Sequence, residues 1–244
     1  MLAVLLPGFL LAEDVVTVAV ATNFAKAAAE ISAAFTQQSK VSVRLSQGST
    51  GKLYAQVING APFDIFMSAD SERPHLLEQA GHIETGRRKT YAIGRLVLWS
   101  RDEKLRNKDC HEVLVKGEYD RLALANPKTA PYGAAAREFL ETAGLWESAS
   151  RRAVFGENIG QTLQFVATGN ATLGFVALSQ TVDPNLPPPS CAWPVPVSSY
   201  GSLEQQAVLL KRASGNSDAR RFFEFLSSPI AHEIISQQGY EVSK

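Results

Sequence analysis

The chain has 244 residues, of which 45% are hydrophobic and 20% charged, enough to bury a full core but short for two independent domains. Lys and Arg together number 24, as do Asp and Glu, so the formal net charge is zero. This balance gives no positive excess for binding nucleic acid or an anionic membrane surface. We therefore expect one two-lobed globular unit that does not bind nucleic acid. We also expect a monomer without direct membrane insertion.

The N-terminal residues 1–12 are almost wholly apolar and run directly into Glu13 and Asp14. This run is too short to span a membrane, which takes about 20 apolar residues, and it ends at the small residue Ala12. The pattern predicts the remnant of a signal peptide and an exported, soluble, periplasmic protein. A buried N-terminal strand is the alternative.

Short apolar runs alternate with runs of helical period along the chain, which is typical of an α/β fold with largely parallel sheets. In the first part the patterns predict strands at 15–21, 41–46 and 63–68 and helices at 24–38, 52–59 and 74–79. A second series follows, with strands at 122–125, 152–155 and 174–178 and helices at 134–142 and 162–168. Helices at 218–226 and 229–237 end the chain.

Two longer runs rich in Val and Leu, 91–100 and 204–211, enclose the second series and predict crossover strands that form a hinge. Lobe I then consists of 13–94 and 201–244 and is discontinuous, whereas lobe II, 95–200, is inserted between its halves. Each lobe is predicted to be a mainly parallel sheet flanked by helices. The proline-rich stretch 184–196 predicts a loop, since proline is excluded from central strands.

The two cysteines, Cys110 and Cys191, both fall in lobe II. In an oxidising compartment such a pair can form a disulfide. Spacing alone says nothing about geometry, so two free thiols remain an equal alternative.

Sequence signatures of catalysis and of metal binding are absent. Neither a G-x-S-x-G nor a strand-linked G-x-G-x-x-G motif occurs, and the run Gly48 to Lys52 departs from a P-loop at Ser46 and Leu53. The histidines lack the spacing of metal ligands; they are His75, His82, His111 and His232. We expect no enzyme activity, no bound metal cation and no cofactor.

One kind of segment occurs four times: a strand that ends in small or hydroxyl residues and runs into a helix. The segments are Thr22-Asn23, Gly48-Ser49-Thr50-Gly51, Ala130-Pro131-Tyr132-Gly133 and Asn158-Ile159-Gly160-Gln161. Two belong to each predicted lobe, and each would present free N–H groups at the carboxyl edge of a sheet. Ordinary helix caps have the same composition, so each segment alone is a weak signal.

The four segments contain no Lys or Arg, although Lys26 and Lys52 follow closely and are expected to point into solvent. Each helix N-terminus carries roughly half an elementary charge, so four together could balance a dianion. A small tetrahedral oxyanion fits best. Sulfate, phosphate or a small organic acid remain alternatives, as do an enzyme on a similar scaffold and a sensor module without a small ligand, although an organic carboxylate usually attracts an arginine.

At these residues the chain resembles the periplasmic molybdate-binding proteins of ABC importers across essentially its whole mature length. The motifs that carry the resemblance are Ala19-Val20-Ala21-Thr22-Asn23-Phe24, Gly48-Ser49-Thr50-Gly51, Phe63-Asp64-Ile65-Phe66-Met67-Ser68-Ala69-Asp70, Tyr91-Ala92-Ile93-Gly94-Arg95-Leu96-Val97-Leu98-Trp99-Ser100, Asn126-Pro127 with Ala130-Pro131-Tyr132-Gly133, and Leu173-Gly174-Phe175-Val176-Ala177-Leu178. The resemblance implies a type II, crossed-sheet binding protein that closes on molybdate or tungstate and delivers it to a membrane permease.

The resemblance also implies the ligand set. The residues are Thr22 and Asn23, Thr50 through its hydroxyl and N–H, Tyr132 and Ile159 through their backbone N–H groups, and Ser49 as a neighbour. Some relatives place a tyrosine hydroxyl where this chain has Ala177, so we expect fewer contacts to the oxyanion here.

Overall fold

The computed structural model describes residues 15–242, so the predicted signal peptide lies outside the described part of the chain. Strands and helices are numbered here in chain order. The strands are β1 Val15–Ala21, β2 Ser42–Gly48, β3 Ile65–Ser68, β4 Ile83–Ile93, β5 Leu96–Ser100, β6 Leu122–Ala125, β7 Ala153–Gly156, β8 Leu173–Ala177, β9 Cys191–Pro194 and β10 Glu204–Leu210. The helices are α1 Ala25–Ser39, α2 Thr50–Ile58, α3 Glu72–Gln79, α4 Cys110–Lys116, α5 Pro131–Thr142, α6 Trp146–Ser150, α7 Ile159–Ala167, α8 Leu178–Thr181, α9 Ser217–Phe225 and α10 Pro229–Gln237.

The strands form two five-stranded sheets, one ordered β2-β1-β3-β10-β4 and the other β7-β6-β8-β5-β9. The predicted α/β fold class, two sheets flanked by helices, is confirmed. Each sheet is mixed, however, because β10 and β5 run antiparallel to both of their neighbours while the remaining pairings are parallel. The chain changes sheet between β4 and β5 and again between β9 and β10. The lobe limits given above remain a prediction.

Both faces of the first sheet are covered. Phe24, Ile31 and Phe35 at the start and along α1 pack with Phe222 of α9 on one face, and α2 and α3 supply Leu53, Val57 and Leu77 to the other. The apolar spacing of three to four residues on α1 is what turns this face inward. The second sheet is covered in the same way, with α4 and α5 on one face and α7 on the other.

The predicted strand 91–100 is wrong as a single element. It is divided at Gly94 and Arg95 into β4, which begins as early as Ile83 and belongs to the first sheet, and β5 of the second. A Cβ on Gly94 would overlap the hydroxyl of Tyr132 and lie 2.8 Å from Gln205 Nε2. The chain therefore passes between the lobes at a residue without a side chain.

Four elements in lobe II were not predicted: the helices α4, α6 and α8 and the strand β9. The helix α4 begins after Asp109, whose carboxylate accepts from the N–H groups of His111 and Glu112. The strand β9 lies inside the proline-rich stretch that was predicted to be a loop; it is an edge strand, and Pro194 is its last residue. A disulfide joins α4 to β9 through Cys110 and Cys191, with their Cα atoms 5.6 Å apart.

Over residues 15–242, no helix is both long enough and apolar enough to cross a membrane.

Candidate functional site

In the first sheet, strand register brings two loops together. The parallel strands β1 and β2 pair from Val15 with Ser42 to Ala21 with Gly48, so their carboxyl ends lie side by side. The residues that follow these ends are Thr22 and Ser49. Thr22 opens a 3₁₀ turn that continues into α1, and Ser49 is the residue before α2.

The second sheet repeats this arrangement with β6 and β7, which pair as far as Ala125 with Gly156. The loops that follow lead into α5 and α7. Gly133 packs directly on the carbonyl group of Ala125, where a Cβ would overlap that oxygen. Helix α5 can therefore begin close against the end of its strand.

All four loops line one small cavity between the sheets. The six residues named from the resemblance all lie in its wall. The complete lining is Ala21, Thr22, Asn23, Gly48, Ser49, Thr50, Ala69, Ala130, Pro131, Tyr132, Asn158 and Ile159. No charged side chain is among these lining residues.

Lobe I supplies hydroxyl groups to this cavity. The Thr22 Oγ1 and Ser49 Oγ atoms are buried and have no hydrogen-bond partner within residues 15–242. The Thr50 Oγ1 atom accepts a hydrogen bond of 3.2 Å from the Ala69 N–H, which leaves its own proton available for donation. A buried hydroxyl without a partner is costly in a folded protein, so these groups call for a polar occupant of the cavity.

Lobe II supplies backbone N–H groups. Tyr132 follows Pro131 at the start of α5, where no intrahelical acceptor exists; the next two N–H groups both bond to the Ala130 carbonyl, at 2.9 and 3.0 Å. Ile159 opens α7. The cap residue Asn158 accepts from the N–H groups of Gln161 and Thr162, which lie further along the helix. The N–H groups of Tyr132 and Ile159 therefore remain available at the cavity.

The two lysines near the cavity are paired with acids across the cleft. Lys26 Nζ lies 3.2 Å from a carboxylate oxygen of Asp183, and Lys52 Nζ lies 2.6 Å from one of Glu157. All four side chains are at least one third exposed. The lysines point outward as expected, although each has an acidic partner rather than solvent alone.

The lobes also touch directly beside the cavity. The Gly51 N–H, in the first turn of α2, donates a 2.8 Å hydrogen bond to the carbonyl of Thr129. A Cβ on Gly160 would lie 2.7 Å from Thr22 Cγ2. Glycine at these positions lets the two lobes meet closely around the cavity.

The Asn23 side chain turns away from the cavity. Its Nδ2 donates to Gln205 Oε1 at 2.9 Å and to the Tyr240 hydroxyl at 3.0 Å, and its carbonyl accepts from the Tyr240 hydroxyl at 2.7 Å. Only the backbone of Asn23 can therefore face an ion. Sequence reasoning missed Gln205 and Tyr240, and no local motif marks them, because they lie 182 and 217 residues from Asn23.

Three tyrosines in and around the hydrogen-bonded side chains of Asn23, Gln205 and Tyr240 stay protonated. Burial raises the pKa of Tyr132 and Tyr91 well above the ordinary value, and the neighbouring tyrosines raise it further. Burial also raises the pKa of Tyr240, an effect partly offset by its hydrogen bonds to Ser179 and Asn23. These three tyrosine side chains behind the cavity are thus uncharged.

Ala177 is fully buried at the end of β8 and does not line the cavity. Its N–H donates to Gln180 Oε1 at 3.0 Å, and Gln180 Nε2 donates to the Ile159 carbonyl at 3.1 Å. The Gln180 side chain, in the short helix α8, thus joins the end of β8 to the start of α7 by hydrogen bonds.

Residues 16–241 match the family model described as bacterial extracellular solute-binding protein. Curated molybdate-binding proteins ModA are similar: the one from Azotobacter vinelandii is 43% identical over 92% of this chain and 89% of that protein, and the one from Rhodobacter capsulatus is 40% identical over 92% and 87%. The solved structure of the Azotobacter vinelandii periplasmic molybdate-binding protein has a TM-score of 0.87 at 35% identity, covering 94% of this chain and all of that one.

The fold is shared more widely. The sulfate-binding protein SubI from Mycobacterium tuberculosis has a TM-score of 0.76 at 12% identity, over 94% of this chain and 87% of that chain. At such low identity the likeness concerns the fold alone. The much higher identity to the ModA proteins confirms the resemblance seen in the sequence, and the chain belongs to the bacterial extracellular solute-binding proteins, in the group that includes the ModA proteins.

Proposed function

We propose that this protein binds a tetrahedral oxyanion, molybdate or tungstate, in the cavity between its lobes and delivers it to the permease of an ABC importer. The observation that carries the proposal is the pair of buried hydroxyls, Thr22 Oγ1 and Ser49 Oγ, which face the cavity without partners in the described chain. The names of the relatives that are 40 and 43% identical support molybdate as the ion.

The proposed donors come from both lobes. Thr22, Ser49 and Thr50 would donate through hydroxyls, with the backbone N–H groups of Asn23 and Thr50 alongside. Tyr132 and Ile159 would donate through backbone N–H groups from the opposite side. Each hydrogen bond to a charged group contributes about 1.5–3 kcal/mol, and the four converging helix ends add favourable partial charge. The dianion is then stabilised without a basic side chain.

Size and charge favour this ligand class over the alternatives. The cavity is small, which suits a small ion, and no arginine lines it to pair with an organic carboxylate. Sulfate has the same charge and shape but shorter bonds, so fewer of the fixed donors would reach its oxygens at once. Discrimination would then arise from the distance between the lobes.

The same features support a binding protein rather than an enzyme. The lining residues offer amides and hydroxyls but no acid, base or activated nucleophile. We infer that the protein acts in the periplasm, in keeping with the name of its structural relative. We also propose that it is a monomer without a resident cofactor. Lower molybdate uptake at limiting concentration after deletion of the gene would support the transport role.

Isothermal titration of the purified protein with molybdate, tungstate, sulfate and phosphate at constant ionic strength tests the proposal. The variant Ser49→Ala removes a buried hydroxyl at the cavity, and Ser32→Ala removes one of the same kind within α1. We expect Ser49→Ala to weaken molybdate binding about tenfold or more, through one lost charged hydrogen bond, and Ser32→Ala to leave it unchanged. Equal affinities in the two variants, or no heat with either metal oxyanion, would contradict the proposal.

A further inference from the structure

Behind the cavity, several buried polar side chains form hydrogen bonds to one residue, Gln205, through its side-chain amide. This residue lies near the start of β10, the strand of the first sheet that follows the second change of sheet, is fully buried and does not line the cavity. Its Oε1 accepts from Asn23 Nδ2 at 2.9 Å, and the Tyr91 hydroxyl lies 3.4 Å from the same oxygen. Its Nε2 donates to the Tyr132 hydroxyl at 3.4 Å. The amide thus uses its acceptor toward lobe I and its donor toward lobe II.

Both of the residues it joins also line the ion cavity. Asn23 lies in the 3₁₀ turn before α1, and Tyr132 lies in the first turn of α5. Each presents its backbone to the cavity and its side chain to Gln205. The position of one binding turn in each lobe is therefore tied to the same amide group.

The residues around the Gln205–Tyr132 hydrogen bond leave little room for either side chain to move. Gly94, on the other crossing between the lobes, is so close to the Tyr132 hydroxyl that a Cβ would overlap it. The Tyr132 side chain is buried, and the hydroxyl stays protonated because burial raises its pKa. Separation of lobe II from β10 would draw Tyr132 away from Gln205 and leave a buried amide donor unpaired, which disfavours the open arrangement.

We propose that Gln205 is a positioning residue for oxyanion binding, whose amide aligns the Asn23 turn of lobe I with the Tyr132 turn of lobe II and favours the closed form. The inference rests on the proposed function for its ligand. It assigns Gln205 no contact with the ion.

The test compares Gln205→Met with Gln206→Met. Both replace a buried glutamine of β10 with an unbranched side chain of similar length. Gln206 bonds instead to Arg88 and Thr90, in the same sheet. We expect Gln205→Met to weaken molybdate binding about tenfold or more, mainly through faster dissociation, since a hydrogen bond specific to the closed form is lost. Gln206→Met is expected to leave the affinity unchanged. Equal molybdate affinities in the two variants would overturn the inference.

A double-mutant cycle with Tyr132→Phe separates positioning from general loss of stability. Tyr132→Phe keeps the backbone N–H at the cavity but removes the acceptor of Gln205 Nε2. If the two residues act through this bond, the double variant binds molybdate no more than about twofold more weakly than Gln205→Met alone. Fully additive losses would overturn the inference. If Gln205→Met does not fold, Tyr132→Phe decides alone, and unchanged affinity in it overturns the inference.

Small-angle scattering of the ligand-free proteins gives a readout independent of the ion. Gln205→Met is expected to have a larger radius of gyration than Gln206→Met, because its open form is more populated, and equal radii overturn the inference. Failure of the wild-type protein to bind any oxyanion would instead count against the proposed function, so the two failures are distinguishable.

Discussion

The two lobes offer the cavity different chemistry. Lobe I presents the hydroxyls of Thr22, Ser49 and Thr50 together with backbone N–H groups, whereas lobe II presents the backbone N–H groups of Tyr132 and Ile159. A hydroxyl can rotate toward an ion, but an N–H at the start of a helix points where the helix directs it. Lobe I is thus adaptable at the site and lobe II is fixed, so the placement of α5 and α7 sets the geometry to which the hydroxyls adjust.

The largest expected effect comes from removing a fixed donor. In Ile159→Pro the N–H at the first residue of α7 is lost, but proline is favoured at this position and α5 already begins with Pro131. The preceding Asn158 is extended, which proline requires. We expect molybdate affinity by calorimetry to fall about a hundredfold or more, from one lost charged hydrogen bond and the ring carbon that replaces the proton.

Ser217→Pro is the matched control, since it places proline at the first residue of α9, a helix that does not line the cavity. Its molybdate affinity should equal that of the wild-type protein. If Ile159→Pro also binds normally, α7 does not contribute the donor assigned to it.

Removing a hydroxyl, which can rotate, should reduce molybdate affinity less than removing a fixed N–H group. Thr50→Ala removes a hydroxyl that accepts from the Ala69 N–H and is free to donate to an ion. We expect molybdate affinity to fall by about one to two orders of magnitude, measured by calorimetry. Thr50→Ser keeps the hydroxyl and should bind within about threefold of the wild-type protein. A loss in Thr50→Ser as large as that in Thr50→Ala would assign the effect to packing instead.

The smallest effect is expected at the contacts between the lobes. Lys52→Gln removes an exposed ion pair with Glu157, and such pairs contribute about 0.2–1 kcal/mol. Molybdate affinity should fall less than about fivefold, and the affinity of the variant should depend less steeply on NaCl concentration than that of the wild-type protein. Lys116→Gln breaks a comparable pair within α4 and serves as control. Identical salt dependence in both variants would exclude a contribution of Lys52 to closure.

The buried strands and helices were predicted well, because burial in the core requires the apolar spacing that the sequence shows. Strands β1 and β6 begin and end where the apolar runs do. The first half of β4 escaped prediction because it carries Glu84, Arg87, Arg88 and Lys89, which pair with charged and amide side chains rather than with an apolar core. An edge strand needs little apolar surface, so periodicity does not reveal it.

The candidate site could also be predicted only in part. The four loops could be found because each follows a strand with small and hydroxyl residues, and the structure places them around one cavity. The direction of the Asn23 side chain could not be found, because it depends on Gln205 and Tyr240, which are near only in the folded chain. Local sequence gives the donors of a binding turn, whereas tertiary contacts decide which of them face inward.

The hydrogen bond from Gly51 N–H to the Thr129 carbonyl has a consequence for selectivity. It joins lobe I directly to lobe II at 2.8 Å, and its donor Gly51 is the residue after Thr50 in the first turn of α2. Because these backbone atoms are already in contact, they would limit how near the lobes can approach. An oversized ion would hold Gly51 and Thr129 apart, and an undersized one would leave these atoms in contact while its oxygens stayed out of reach of the donors. If the cavity holds the proposed oxyanion, this contact would fix the smallest separation of the lobes, and anions of equal charge would be distinguished by their radius.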